Sequence, residues 1–532
     1  MKTLILKTVV LTLSIVFPVA ANAASKKDSM VYGETGRLDR FDPYTVHESS
    51  GHRISDLLFD GLVAPGPGGS YKPALAQSWD IRKGGTEVLV TLRDNVRWHR
   101  TGNGSGASYK VSPEDVIATL RVIKDEKSEF PNKERFAVIA GAKKLDSRKI
   151  LFTFSRAAMD PMRYLMFKIL PDHIVGKAGY LKRDSEFSKN PIGTGPYKFV
   201  SYSQSGEVLL AANDEYYEGV PKIKNIIMKN YADQNIMAQS LMYGALDLVT
   251  YVSPRSLDEV VGDKRLGVVP YDALSYSFIA LNNQKGVLKN KTVRQALSYA
   301  VNRQEMLDAF FYGKGKIISG PYAPTSWAYN MDVKPFMFNK SKAASLLDSA
   351  GYKDSDGDGI REDDGKPFTL NFIVPLAGES EILKRIVLAY QGYLADVGVV
   401  VDLKFVDWLV WKDKVLKDRD YDLTIASWSF DDAANILSLF HSKSIKPWGN
   451  NFVGFSNPKV DELLAEAANT SNFDKRRSIN HKLHAMLADE APYTFLWTLE
   501  HHAAHHRSIS GVRVEPFSFF RHIKNWSMNK VK

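Results

Sequence analysis

Two periods of hydrophobic and polar positions divide the chain. Over 86–93, Thr-Glu-Val-Leu-Val-Thr-Leu-Arg places apolar side chains at alternate positions, the signature of a half-buried strand. Shorter strand patterns recur at 30–32, 149–155, 198–200, 207–211, 226–228, 277–282, 368–374 and 399–405. Between them lie segments with helical period. Val293, Ala296, Leu297, Ala300, Val301 and Met306 share one stripe and predict a single long amphipathic helix over 290–311. A second helix is expected over 379–397, closed by Gly398, with others at 54–60, 233–242, 460–468 and 475–487. Gly61 reads as a left-handed cap of the 54–60 helix. Asp233 reads as an N-cap, and Ser112-Pro113-x-Asp115 as cap, first residue and acidic first turn of a further helix. Strands mixed with helices along the whole chain predict an α/β protein.

One stretch obeys neither period. Asn190-Pro191-Ile192-Gly193-Thr194-Gly195-Pro196-Tyr197 holds two glycines and two prolines, which excludes a helix or a central strand. It precedes a strand, the turn Asn213-Asp214-Glu215-Tyr216-Tyr217-Glu218-Gly219-Val220-Pro221-Lys222-Ile223, and another strand. This order resembles the peptide/nickel-type (family 5) solute-binding proteins of ABC importers. The resemblance continues through LFDGLV (58–63), PALAQSW (73–79), LRDNVRWH (92–99) with SPEDV (112–116), GALDLV (244–249), VRQALSYAVNRQEM (293–306), DSDGDGIREDDGKP (354–367) and APYTFLW (491–497). It covers nearly all of 30–497. Two places depart from it: Leu38-Asp39 and Asp42-Pro43 share what is usually one motif, and 101–106 expands a turn.

The resemblance implies a periplasmic-binding-protein-like α/β fold (type II, cluster C), with two mobile halves and an extra subdomain making three lobes around a ligand cleft. Lobe Ia would take 24–61 and 191–273, lobe Ib 62–190, and lobe II 274–490, with 491–532 returning to lobe Ia. It also implies a site. In Tyr421-Asp422-Leu423-Thr424-Ile425-Ala426-Ser427-Trp428-Ser429-Phe430-Asp431, the family's W-x-x-D falls on Trp428 and Asp431. In peptide-binding members that aspartate meets the ligand's α-ammonium and the tryptophan walls the pocket. A turn or helix-capping role for Asp431 is the alternative. Asp432-Ala433-Ala434-Asn435 follows, where the family often has further prolines and acids. His47 and Ser49 are the remaining candidate ligand-binding residues. The implied function is capture of a small solute, a di- or oligopeptide, for an inner-membrane ABC permease. The rivals are a metal or metal-chelate binder of the same fold, if the 501–506 histidines or His441 face the cleft, and a secreted metallohydrolase.

No catalytic pattern supports the hydrolase. His47-Glu48-Ser49-Ser50-Gly51-His52 spaces its histidines five apart, so they would not share a helix face as in H-E-x-x-H. No G-x-S-x-G elbow occurs, and the glycines of 102–106 lack the G-K-[ST] ending of a phosphate loop. Asp354-Ser355-Asp356-Gly357-Asp358-Gly359 copies the start of a calcium loop, but the twelfth position is Gly365 where a bidentate glutamate is needed, and aspartate-nucleated turns explain it without metal. His501-His502-Ala503-Ala504-His505-His506 could ligate a metal on a helix, whereas its surroundings read as strand. Neither cofactor nor metal is expected.

The first 23 residues read as a secretory leader: Lys2 and Lys7, an apolar run over 9–19, and Ala21-Asn22-Ala23 as cleavage site. With no cysteine in the chain there is no disulfide, no thiol nucleophile and no lipoprotein anchor. A periplasmic, monomeric protein is expected. The formal charge of +10 is spread along the chain without a nucleic-acid motif, so it bears on solubility and partner steering. Mature protein should begin at Ala24 and be released by osmotic shock. An N-terminal sequence starting at Met1, or protein that pellets with membranes, is the contrary outcome.

Overall fold

The computed structural model describes residues 29–529 apart from 37, 39, 46–48, 67–69, 101–105, 131–132, 159, 177–180, 183, 377–380, 430–433, 471 and 517. The leader, His47, the glycines of the 101–105 turn and Asp431 therefore lie outside the described residues.

One sheet of eleven strands organises the described residues. Its strands are β1 (Ser29–Thr35), β2 (Tyr197–Tyr202), β3 (Val208–Ala212), β4 (Asn225–Tyr231), β5 (Leu248–Val249), β6 (Leu266–Leu281), β7 (Gly315–Ile317), β8 (Thr369–Leu376), β9 (Val400–Asp407), β10 (Leu423–Ser429) and β11 (Tyr493–His506). They lie in the order β9-β8-β10-β6-β11-β5-β1-β4-β3-β2, with β7 also against β11. β1 runs parallel to β4, and β8 runs parallel to both β9 and β10. A separate antiparallel sheet pairs Ala76–Arg82, Glu87–Leu92, Lys149–Phe154 and Ile139–Lys144 in that order.

The long antiparallel pair β6 and β11 is shared by separate hydrophobic cores toward its two ends. Toward one end, Val269, Tyr271 and Ala503 pack with Met30, Phe59, Trp98 and Tyr197 in a core drawn chiefly from the first half of the chain. Toward the other, Ile279, Leu496 and Trp497 pack with Val293, Phe372 and Tyr390, and Phe278 and Tyr493 with Tyr421 and Leu483. The pairing register shifts between Asp272/Tyr276 and again between Ser277/Phe278, at the boundary of the two cores. Thr498 Oγ1 donates to the Ser275 carbonyl at 3.0 Å there, satisfying backbone that the irregular ladder leaves unpaired.

The Gly/Pro stretch before β2 is fixed against helix α1 (Ser49–Leu58). Gly195 N–H donates to the Leu58 carbonyl at 2.9 Å. A Cβ on Gly193 would stand 1.8 Å from that oxygen, and one on Gly195 2.4 Å from the Leu57 carbonyl, so both positions need glycine for close approach and not for a positive φ. Buried His99 clasps the loop. Its Nδ1 accepts from Gly193 N–H at 3.2 Å, so Nε2 carries the proton and donates to Gly195 O at 3.0 Å. Asn213 Nδ2 donates to the same carbonyl at 3.0 Å, tying in the second turn.

Two expectations are corrected. Residues 290–311 form two helices, α2 (Lys291–Ala300) and α3 (Arg303–Phe311), because Val301 is extended and Asn302 starts a new helix by accepting from Glu305 N–H. Gly61 is not a left-handed cap. Helix α1 ends at Leu58, and Gly61 instead lies in a bridge to Lys168 where a Cβ would meet the Met166 and Phe167 carbonyls at 3.0 Å. Asp233 does cap its helix, accepting from Asn235 and Ile236 N–H. Ser112 stands at the expected cap, where Asp115 accepts from its backbone N–H at 2.8 Å.

Burial, chiefly, lowers the His99 pKa to about 4, with nearby Lys198 adding to it against the Gly195 hydrogen bond. Above pH 6.5 the imidazole is neutral in both folded and unfolded chains. Between 6.5 and about 4 the unfolded chain takes up a proton that the fold refuses, so stability falls as pH falls, by at most about 3 kcal/mol for this group. Its imidazole resonance should stay at the neutral position down to pH 5. A His99 titration midpoint near 6.5 would contradict the clasp.

Candidate functional site

A cavity of about 510 Å³ opens beyond the carboxyl ends of the parallel strands β8, β9 and β10. Open α/β sheets hold ligands in this position, because strands end there together and their loops are free to vary. β8 contributes Pro375, and β10 contributes Ile425, Ala426, Ser427 and Trp428. Helix α4 (Glu381–Ala395), which follows β8, supplies Ile382, Leu383 and Ile386. Helix α5 (Trp408–Lys412) begins as β9 ends and supplies Trp408 and Trp411. Three apart on a helix, these two residues share a face, and their rings stack with centroids 4.8 Å apart and planes 8° from parallel. Trp448 and Phe452 form another wall, and Trp497 of β11 adds a fifth tryptophan.

The cavity stands next to the shift in register. Ser429, at the end of β10, pairs with Ser275 of β6, and Ser427 pairs with the cavity-lining Ser277. Trp428 is therefore held at the wall by strand register. Its Nε1 donates to the Tyr493 hydroxyl at 3.3 Å, and burial raises the Tyr493 pKa well above its usual range, keeping a neutral partner. Phe278 and Tyr493 stack 4.1 Å apart behind it. Asp431, three residues on, lies outside the described residues. Ser49 begins α1, exposed and away from the cavity lining, and His47 is outside the described residues.

Sequence reasoning assigned Trp428 to the wall but did not join Trp408, Trp411, Trp448 and Trp497 to it. The i, i+3 tryptophans after a parallel strand were the available signal. Trp448 had none: its wall position depends on a left-handed backbone, φ +64°, that a bulky residue rarely adopts.

The histidines do not assemble. His501 lies with its ring edge-on to Tyr251 and Tyr271, at 4.8 and 5.5 Å. Burial, then neighbouring His502 and Arg53, lower its pKa to about 4. His502 Nε2 meets Glu500 at 2.9 Å, His505 Nδ1 lies 2.9 Å from the His506 carbonyl, and His506 Nδ1 lies 2.8 Å from Ser508 Oγ. The strand reading of this segment is borne out, and alternation along β11 sends successive rings to opposite faces. His441 accepts from Lys443 N–H and sits 3.5 Å from Asp461, outside the cavity lining. In the acidic loop, Asp354, Asp356, Asp358 and Glu362 come within 4.8 Å of one another. Asp354 accepts from Gly357 and Gly359 N–H and Asp358 from Ile360 N–H, the turns the sequence predicts. Buried Ser319 lies 3.0 Å from His484 Nε2, yet Nδ1 accepts from Asn330 N–H at 2.9 Å. The proton is thus on Nε2, and His484 donates to Ser319 where a nucleophile would need a base.

Fold and cavity together define an α/β protein with an aromatic pocket at its parallel strand ends. Residues 70–448 match the family described as bacterial extracellular solute-binding proteins, family 5 Middle. The chain is 27% identical over 535 residues to the oligopeptide-binding protein AppA of Bacillus subtilis, covering 96% of this chain and 95% of that one. The structure of AppA with a nonapeptide matches at a TM-score of 0.73 and 26% identity, covering 94% and 99%. NikZ from Campylobacter jejuni with Ni(L-His) matches at 0.74 and 25%, with the same coverage. The chain belongs to family 5 of the bacterial extracellular solute-binding proteins. It is a solute-binding component of an ABC transporter and not an enzyme, as the sequence implied. No helix among the described residues is long and apolar enough to cross a membrane.

With the rings of 501–506 placed separately along β11, added nickel or zinc at tens of micromolar should leave the melting temperature unchanged. A metal-dependent rise, abolished by His501→Ala together with His505→Ala, would show an assembled site there.

Proposed function

We propose that the protein captures a di- or oligopeptide in a cleft between its two halves and hands it to an inner-membrane permease. The observation that carries this reading is Trp428 in the wall of a ligand-sized cavity, with Asp431 three residues further on. Asp431 neutralises the ligand's α-ammonium. Peptide-binding relatives, AppA with its nonapeptide and the dipeptide-binding protein of Escherichia coli at 24% identity, support the ligand class. A metal chelate, suggested by NikZ, finds no histidine or carboxylate among the described lining residues.

On this reading lobe Ia takes 24–61 and 191–273 with the 491–532 return, lobe Ib 62–190 and lobe II 274–490, and β6 and β11 are the crossings about which the halves close. His47 and Ser49 meet the ligand from the opposite half. Supporting this, Ser49 lies one turn before Arg53 on α1. Arg53 in turn acts electrostatically on Tyr271 and His501, which stand beside the crossing. The protein works as a monomer in the periplasm after loss of a leader at Ala23, with no lipid anchor because it has no cysteine, and it takes no nucleic acid.

A charge removed from water needs a partner, and losing one member of a desolvated pair costs about 2–5 kcal/mol. Asp431→Asn should therefore weaken binding of a library-selected peptide roughly 30- to several thousand-fold by calorimetry, with the ligand-free melting temperature unchanged. N-acetylating that peptide should impose a similar loss on the wild type and little further loss on the variant. Equal affinity of variant and wild type for the unmodified peptide would reduce Asp431 to a turn residue.

A further inference from the structure

Several polar groups around the aromatic cavity are paired with one another or with neighbours in its wall. Trp411 Nε1 donates to Thr424 Oγ1 at 2.8 Å, and Trp428 Nε1 to Tyr493 at 3.3 Å. Ser277 and Ser427 hydroxyls bond each other at 3.1 Å across the β6–β10 pair. Asn450 Nδ2 donates to Ser438 Oγ at 3.3 Å. Among the described lining residues there is no Asp, Glu, Lys, Arg or His. Most of what faces the space is ring and aliphatic surface, part of it left in water: Trp408 is 49% exposed and Trp448 54%, with Ile382 beside them at 46%. Isolated exposed apolar residues are ordinary, but these three rim one concave site. Trp448 is held there despite its left-handed backbone, a cost that local structure tolerates chiefly where function requires it.

We infer that this cavity selects a bulky, uncharged apolar side chain of the ligand, laid against the Trp408–Trp411 stack, and rejects charged side chains. Covering the three rim residues removes apolar surface from water, which favours an apolar occupant. With Asp431 engaged by the ligand's α-ammonium on the peptide reading, a lysine or glutamate side chain entering the same space would lose hydration and find no group of opposite charge among the described lining residues, and burial without a partner disfavours it. Aromatic occupants gain further from offset or edge contacts with the tryptophans. The inference rests on the peptide reading only in taking the occupant to be a side chain and Asp431 to be engaged.

The test uses the full mature protein and tripeptides carrying Phe, Leu, Lys or Glu at one position and Ala elsewhere, scanned through all three positions. Because five of the nine tryptophans line the cavity, intrinsic fluorescence reports occupancy alongside calorimetry. At one position the Phe and Leu peptides should bind at least about tenfold more tightly than the Lys and Glu peptides. Trp408→Ala should erase most of that advantage without lowering the ligand-free melting temperature, and Trp408→Phe should restore part of it. If tripeptides bind with the same affinity whatever the side chain, the selectivity is overturned while the peptide reading stands. If no tripeptide binds but N-acetyl-leucinamide changes the tryptophan fluorescence in a Trp408-dependent manner, the apolar site stands and the peptide reading falls. Tighter binding of Lys or Glu peptides at every position overturns the inference outright.

Discussion

The antiparallel pairing of β6 with β11 is the constraint on which the rest of the structure depends. Leu266 opposite His506 and Ala280 opposite Tyr493 mark its two ends, and Leu266 is buried with Met237, Leu241 and Val260 while Ala280 and Tyr493 are buried in a different core. Hydrophobic burial is not directional, so two cores could sit at many relative angles; a shared hydrogen-bonded ribbon reduces the choice to the bending of one element. The bulges at 272–276 and 277–278 place that bend where the ladder is already broken. A second contact crosses elsewhere. Arg476, from the helix Phe473–Glu490, lies over Trp327 and 3.6 Å from Asp160, whose carboxylate also accepts from the Tyr71 hydroxyl. The ribbon and this ion pair thus join the halves at separate points.

The first half is set by steric fit around a polar clasp. Gly193 and Gly195 bring backbone against the last turn of α1 more closely than any side chain allows, and His99 satisfies the donor and acceptor left at that approach. A buried imidazole with one nitrogen donating and the other accepting is locked neutral, so the same contacts that order the loop make it sensitive to acid. The conformational argument from glycine explains little here; the volume argument explains both positions.

Much of the fold was legible because local pattern and tertiary role coincide. Alternation over 86–93 gives the strand Glu87–Leu92, and Asp233 and Gly398 mark helix ends where they were read. The failures share a cause: a tertiary requirement overrode a local signal. The break at Val301 is invisible to periodicity because the apolar stripe runs through it. Only Asn302 with Glu305 three residues later, a side-chain pair 2.9 Å apart, signals the new start. β6 extends to Leu266, well before the pattern at 277–282, and carries Pro270 opposite His502, a residue that argues against a central strand. Of the site, Trp428 was legible through resemblance. Of the other four, Trp408 and Trp411 share one helix face at i, i+3 spacing, while Trp448 and Trp497 come from separate segments, and no spacing in the sequence encodes their meeting with that pair.

The composition of the cavity also decides how affinity and orientation are divided. An aromatic side chain buries about 150–250 Å², worth about 4–6 kcal/mol at 25 cal/mol per Å². A micromolar complex needs about 8 kcal/mol, beyond the losses of motion that association imposes. Apolar contact alone therefore falls short, and it leaves the ligand free to rotate or reverse, because rings and aliphatic walls do not distinguish one end of a chain from the other. The role proposed for Asp431, a directional contact to one end of the ligand, would supply what is missing. A charge pair alone would bind any amine. A tryptophan-lined space and a carboxylate paired with the ligand's amine are each insufficient and complementary, which is why selectivity among ligands should reside in the wall and polarity of binding in the acid.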